Sequence, residues 1–135
     1  MAARISCSIF ISGGIYMTQL NQEKCVACRR DSPPVEPEEV AELHHHVPEW
    51  DLISEDGISK LDRVFKFNNF QLALDFTNEV GNLAEAEGHH PRLTTEWGRV
   101  AVTWWTHKIR NLHRNDFVMA AKSDQIYLDL TSEKA

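Results

Sequence analysis

The period of the apolar residues changes once between Asn68 and Trp105, and this change restricts the fold more than any other feature. Leu72, Ala73, Phe76, Val80, Leu83 and Ala84 recur at the spacing of one helix face, after Asn68 or Asn69 as a cap and before Gly88 as a stop. Beyond Gly88 the pattern turns to alternation. Leu93, Thr95 and Trp97 alternate with Thr94 and Glu96, Gly98-Arg99 turns the chain, and Val100, Val102 and Trp104 alternate with Ala101, Thr103 and Trp105. A similar hairpin precedes the helix, with Trp50 to Ile53 and Lys60 to Phe67 flanking Glu55-Asp56-Gly57, and with Leu61, Phe65 and Phe67 on one face. Pro37 opens a short first helix among Glu36, Glu38 and Glu39. It carries Val40, Leu43 and Val47 inward and ends at Pro48. A last helix is expected from about Arg114 to Leu128 with Phe117, Ala120, Ala121 and Ile126 on its apolar face. The order α-β-β-α-β-β-α predicts an α+β domain: a four-stranded antiparallel sheet with three helices packed on one face.

The adjacent Trp104 and Trp105 fall on opposite faces of one strand, so the second sheet face is either partly covered or meets another subunit. A homodimer or homotetramer is expected. The chain of 135 residues, with 42% hydrophobic and 25% charged residues, suits a single core, which we place in residues 36–132. Residues 1–35 read as an irregular N-terminal arm with Pro33 and Pro34 at its end and Pro37 just beyond it, and with Met17 an alternative initiator that would leave residues 1–16 outside the native protein. A net charge of -6 argues against direct nucleic-acid binding. The apolar stretch Ile5 to Tyr16, broken by serines and glycines, is too short to span a membrane and makes a poor signal peptide, so a cytoplasmic location is expected.

Chemistry concentrates where the elements end. Glu85-Ala-Glu-Gly-His89-His90-Pro91 places two imidazoles at a helix C-terminus, where unpaired carbonyls favour the protonated form and burial opposes it. His107 follows the last strand, and Asp116 lies in the first turn of the last helix, where it can accept backbone N–H bonds or orient an imidazole.

These residues resemble the pterin-4a-carbinolamine dehydratase family. The shared pattern is an acidic residue (Glu85), three residues, His89-His90-Pro91, an aromatic (Trp97), Thr106-His107 and a helix-initiating Asp116, with Phe65, Phe67 and Phe70 adding to it. The likeness spans about Trp50 to Leu130. It implies an enzyme that dehydrates 4a-hydroxytetrahydropterin to quinonoid dihydropterin with no metal or redox cofactor, in tetrahydrobiopterin recycling linked to an aromatic amino-acid hydroxylase. It also implies His89, His90, His107 and Asp116 as the catalytic set, and Glu85, Pro91, Thr106, Lys108 and Ile109 as substrate-binding positions.

One run departs from the family. Arg110-Asn111-Leu112-His113 stands where a Gly-Gly-Leu-Ser or Gly-Gly-Leu-Thr run is usual, which predicts an altered loop path, a lost helix cap at His113 and weaker support for Asp116. Other features read as bland: His44-His45-His46 as a solvated helix end, Trp97 as sheet packing, and Cys25 and Cys28 as reduced thiols, half a zinc site at most. A competing function uses the same fold as a protein-binding module, a dimerisation cofactor or assembly factor.

Overall fold

The computed structural model describes residues 20–26 and 32–134. Helix α1 (Pro37–His44) starts on its proline, strands β1 (Asp51–Glu55) and β2 (Ile58–Lys66) form the first hairpin, and helix α2 (Phe70–Glu87) follows. Strands β3 (Arg92–Glu96) and β4 (Arg99–Trp104) form the second hairpin, and helix α3 (Arg114–Lys134) closes the chain. The sheet is antiparallel in the order β1-β2-β4-β3. The α+β arrangement expected from the sequence is therefore the observed one. Asn69 is the cap of α2, its side chain accepting the Leu72 N–H at 2.8 Å.

The two turns follow from backbone sterics. Asp56 and Gly57 both have positive φ, 52° and 76°, as a two-residue hairpin turn requires. The second turn is Trp97-Gly98, one residue earlier than expected, because Arg99 already pairs with Glu96 in β4. Gly98 has φ 77° and lies so close to the Phe67 carbonyl that a Cβ there would meet that oxygen at 3.3 Å. The Phe67 N–H donates to the Gly98 carbonyl at 2.8 Å, which joins the end of β2 to this turn. Trp97 consequently projects from the turn and is 72% exposed, so the expectation that it packs on the sheet fails. Its alternation continued one residue past the strand.

Leu61, Phe65, Val100, Val102 and Trp104 on the helix side of the sheet meet Ala73, Phe76, Val80 and Ala84 of α2 and Phe117 and Ala120 of α3, all buried. Phe65 and Phe76 pack with their rings tilted at 4.6 Å between centroids, and Trp50 meets Phe65 edge-on at 5.8 Å. Trp50 also donates its indole N–H to Asp124 at 2.8 Å, and Arg63 donates to the same oxygen at 2.6 Å, tying the sheet to α3. Helix α3 is longer than its apolar face predicts and buries Val118 and Met119 as well. One reason is the N-terminal arm, whose turn Leu20–Gln22 lies along α3 with Leu20 buried.

The opposite sheet face carries a polar cage around Trp105. The Lys60 ammonium sits 3.9 Å from the Trp105 ring centre and the Arg92 guanidinium 5.7 Å, and Glu55 accepts hydrogen bonds from both cations. The bonds from Arg92 and then Lys60 hold the Glu55 carboxyl down at about 2. Among the described residues no helix is long and apolar enough to cross a membrane.

Candidate active site

Helix α2 ends in Gly88 at φ 67°, and the N–H groups of Gly88 and His89 both reach the Ala84 carbonyl. This closed helix end fixes the backbone of His89 and directs its ring inward. The ring is 8% exposed and lies nearly parallel to Trp104, with centroids 5.7 Å apart and planes 9° apart. Its Nε2 meets Asp116 Oδ1 at 2.6 Å. An ionised carboxylate only accepts, so Nε2 carries the proton of that bond and Nδ1 is the position left for proton exchange.

Asp116 is wholly buried and each of its oxygens has a partner. Oδ2 accepts the Thr106 hydroxyl at 2.7 Å and the His113 N–H at 2.9 Å. The expected weakening at this helix start does not occur, because the His113 imidazole replaces the missing hydroxyl: its Nδ1 accepts the Asn115 N–H at 3.0 Å. Burial pushes the His113 pKa down, Asp116 pulls it back up, and His89 and Glu39 act more weakly in opposite senses. In the preceding loop Arg110 takes the left-handed conformation at φ 51°, while the Asn111 backbone is committed to a bridge with Thr106 and its side chain accepts the Leu112 N–H at 2.7 Å.

His90 points the other way from His89. It is exposed and its Nε2 lies 2.7 Å from Glu85 Oε2, itself exposed, so Glu85 serves His90 rather than the buried imidazole one helical turn above it. His107 stands in the loop after β4 with its ring on Trp105 at 4.4 Å. A cleft of about 570 Å³ brings His89, His90, Thr106, His107 and Lys108 together, with Gly88, Glu87, Cys25 and Val26 completing its wall. Asp116 stands behind His89. Pro91 and Ile109, expected at the ring pocket, are not among the residues lining this cleft, and Glu85 reaches it only through His90.

Glu87, Cys25 and Val26 were not foreseen as site residues. Glu87 precedes the helix stop and offered a weak signal by position, whereas the arm has no period from which its path could be read. Cys28 lies outside the described residues. Among those residues, no three His, Cys, Asp or Glu side chains gather into a group that could hold a metal ion, and His44 is occupied by the Trp50 carbonyl at 2.6 Å.

The family model of pterin 4 alpha carbinolamine dehydratase matches residues 33–126, the segment that holds every residue lining the cleft except Cys25 and Val26. The chain belongs to the pterin 4 alpha carbinolamine dehydratase family. A Nitrosococcus oceani protein provisionally named a pterin-4-alpha-carbinolamine dehydratase is 56% identical over 110 residues, 82% of this chain and 97% of that protein. The crystal structure of a transcriptional coactivator/pterin dehydratase from Brucella melitensis superposes with a TM-score of 0.63 at 30% identity, over 70% of this chain and 98% of that one. A pterin dehydratase-like protein identified as a RuBisCO assembly factor in the alpha-carboxysome shares the fold, with a TM-score of 0.51 at 21% identity over 62% of this chain and 93% of that one. The dehydratase family therefore accounts for the domain that frames the cleft.

Proposed function

We propose that the cleft removes water from 4a-hydroxytetrahydropterin to give quinonoid dihydropterin. The carbon–oxygen bond at the bridgehead breaks, the hydroxyl leaves with one added proton as water, and the neighbouring ring nitrogen loses its proton as the carbon–nitrogen double bond forms. No electrons are gained or lost overall. The observation that supports this most is the buried Asp116 holding His89 in one tautomer on the wall of a cleft that His107 and His90 also line. His89 and His107 share the two proton transfers, and His90 polarises the leaving hydroxyl. Thr106 and Lys108 line the ring pocket, and Thr106 also fixes Asp116. The same reading carries a homodimer or homotetramer, a cytoplasmic setting and service to an aromatic amino-acid hydroxylase.

Dehydration of 4a-hydroxytetrahydropterin followed across pH tests the proposal. The expected profile is bell-shaped, and His89→Ala is expected to lower the rate by about 10²–10⁴-fold. Wild-type protein that turns over no faster than the spontaneous reaction would exclude it. The name of the Brucella relative couples dehydration with coactivation, which favours a binding role as the second reading. A stoichiometric partner whose capture is insensitive to His89→Ala, together with absent turnover, would select that reading.

A further inference from the structure

The N-terminal arm is fastened beside the catalytic pair. The Cys25 N–H donates to Glu87 Oε1 at 2.9 Å, and Glu87 stands two residues before His89. Asn115, the neighbour of Asp116, holds Val26 from both sides: its Oδ1 accepts the Val26 N–H at 3.1 Å and its Nδ2 donates to the Val26 carbonyl at 2.8 Å. Further back, Arg114 donates through Nε and Nη2 to the two carboxylate oxygens of Glu23 at 3.0 and 2.7 Å, Lys122 donates to the Asn21 carbonyl at 2.9 Å, and Leu20 is buried against α3. Residues 20–26 precede the segment that the family model matches. Yet Cys25 and Val26 line the same cleft as the three histidines, and Val26 leaves 61% of its surface exposed. A large apolar side chain held at the cleft by two hydrogen bonds on its own backbone is placed to meet a ligand.

We infer that Cys25 and Val26 form the wall that receives the substituent at carbon 6 of the pterin, so the arm sets substrate preference; this rests on the dehydratase reading. The reacting carbon and nitrogen must lie among His89, His90 and His107, and the ring edge takes the Thr106 to Lys108 side of the cleft. Carbon 6 is bonded to that reacting nitrogen, so its substituent starts at the histidines and leaves the ring toward the remaining wall, where Cys25 and Val26 of the arm stand beside Glu87 and Gly88. The substituent itself makes and breaks no bond, so a contact to it is the same in ground and transition states, and its loss raises KM and spares kcat.

Two measurements on the full chain test the inference. Val26→Asp, at an exposed position, is expected to raise KM for the 4a-hydroxy form of tetrahydrobiopterin by about tenfold with kcat within about twofold, and to raise KM less for the 6-methyl analogue. In the wild type, 7,8-dihydrobiopterin at about ten times its Kd is expected to slow iodoacetamide alkylation of Cys25 by about tenfold, read by mass spectrometry of its own peptide. An unchanged KM, an equal rise for both substrates, or unprotected Cys25 overturns the arm's role while leaving measured turnover intact. Protected Cys25 without turnover removes the dehydratase reading and retains the arm as part of a pterin-binding cleft.

Discussion

His89 and His90 are neighbours in the chain and opposites in environment. His89 is packed on Trp104 and held by a buried carboxylate with three donors, whereas His90 stands 57% exposed with a carboxylate that is 79% exposed. A buried partner fixes a tautomer and a ring angle, while an exposed ion pair is worth at most about 1 kcal/mol and leaves the ring free to follow a ligand. Precision therefore belongs to the first imidazole and adaptability to the second.

The sharpest way to break that contrast is Asp116→Asn. One acceptor oxygen becomes a donor facing His89, Thr106 or the His113 N–H, so stability is expected to fall by about 1–3 kcal/mol in urea unfolding. Turnover is expected to fall by about 10–100-fold. If stability and turnover are both unchanged, Asp116 does not orient His89. Trp105→Ala tests the exposed side, because among the described residues no carboxylate bonds His107, which rests on this indole. A fall in kcat of about tenfold is expected, with Trp105→Phe recovering most of it, since a smaller ring still supports the imidazole. Equal loss in both variants would show that Trp105 matters only to the sheet.

His113 gives a smaller, pH-dependent effect. Its pKa is lower in the folded protein than its ordinary value of 6.5, so the unfolded chain binds more protons just below that value. Its contribution is complete above the unfolded pKa and is lost as pH falls from there through the folded one. His113→Asn keeps a capping side chain without a titrating group, and its unfolding free energy is expected to decline less steeply on acidification across this window. The least effect belongs to Glu85→Gln, expected to change stability by less than about 0.5 kcal/mol and turnover by less than about threefold. A large loss there would move Glu85 from the rim into the chemistry.

The elements were legible where the pattern is local. The stripe from Leu72 to Ala84, the Asn69 cap, the Gly88 stop and the Asp56-Gly57 turn each lie within one element, and each stands where sequence places it. The histidines and Asp116 were legible as a motif, but the bond between His89 and Asp116 joins positions 27 apart, and no period reports it. Trp97 was misread because alternation does not mark the residue at which a strand becomes a turn. His113 was misread because a ring nitrogen can do the work of a hydroxyl at a cap, a possibility that residue preferences rank low. The arm was illegible for another reason. Its position rests on polar contacts with Arg114, Asn115 and Glu87, each specific to one pair of side chains rather than to a repeating face.

Trp104 and Trp105 are consecutive, and each carries one imidazole, His89 on one face of the sheet and His107 beside the other. The last residue of β4 and the residue that follows it thus act as a spacer, with one imidazole against each indole. This also makes the site optically addressable: the chain has four tryptophans, so the part of a ligand-induced fluorescence change that is lost on replacing Trp104 or Trp105 alone would report on the histidine that indole touches.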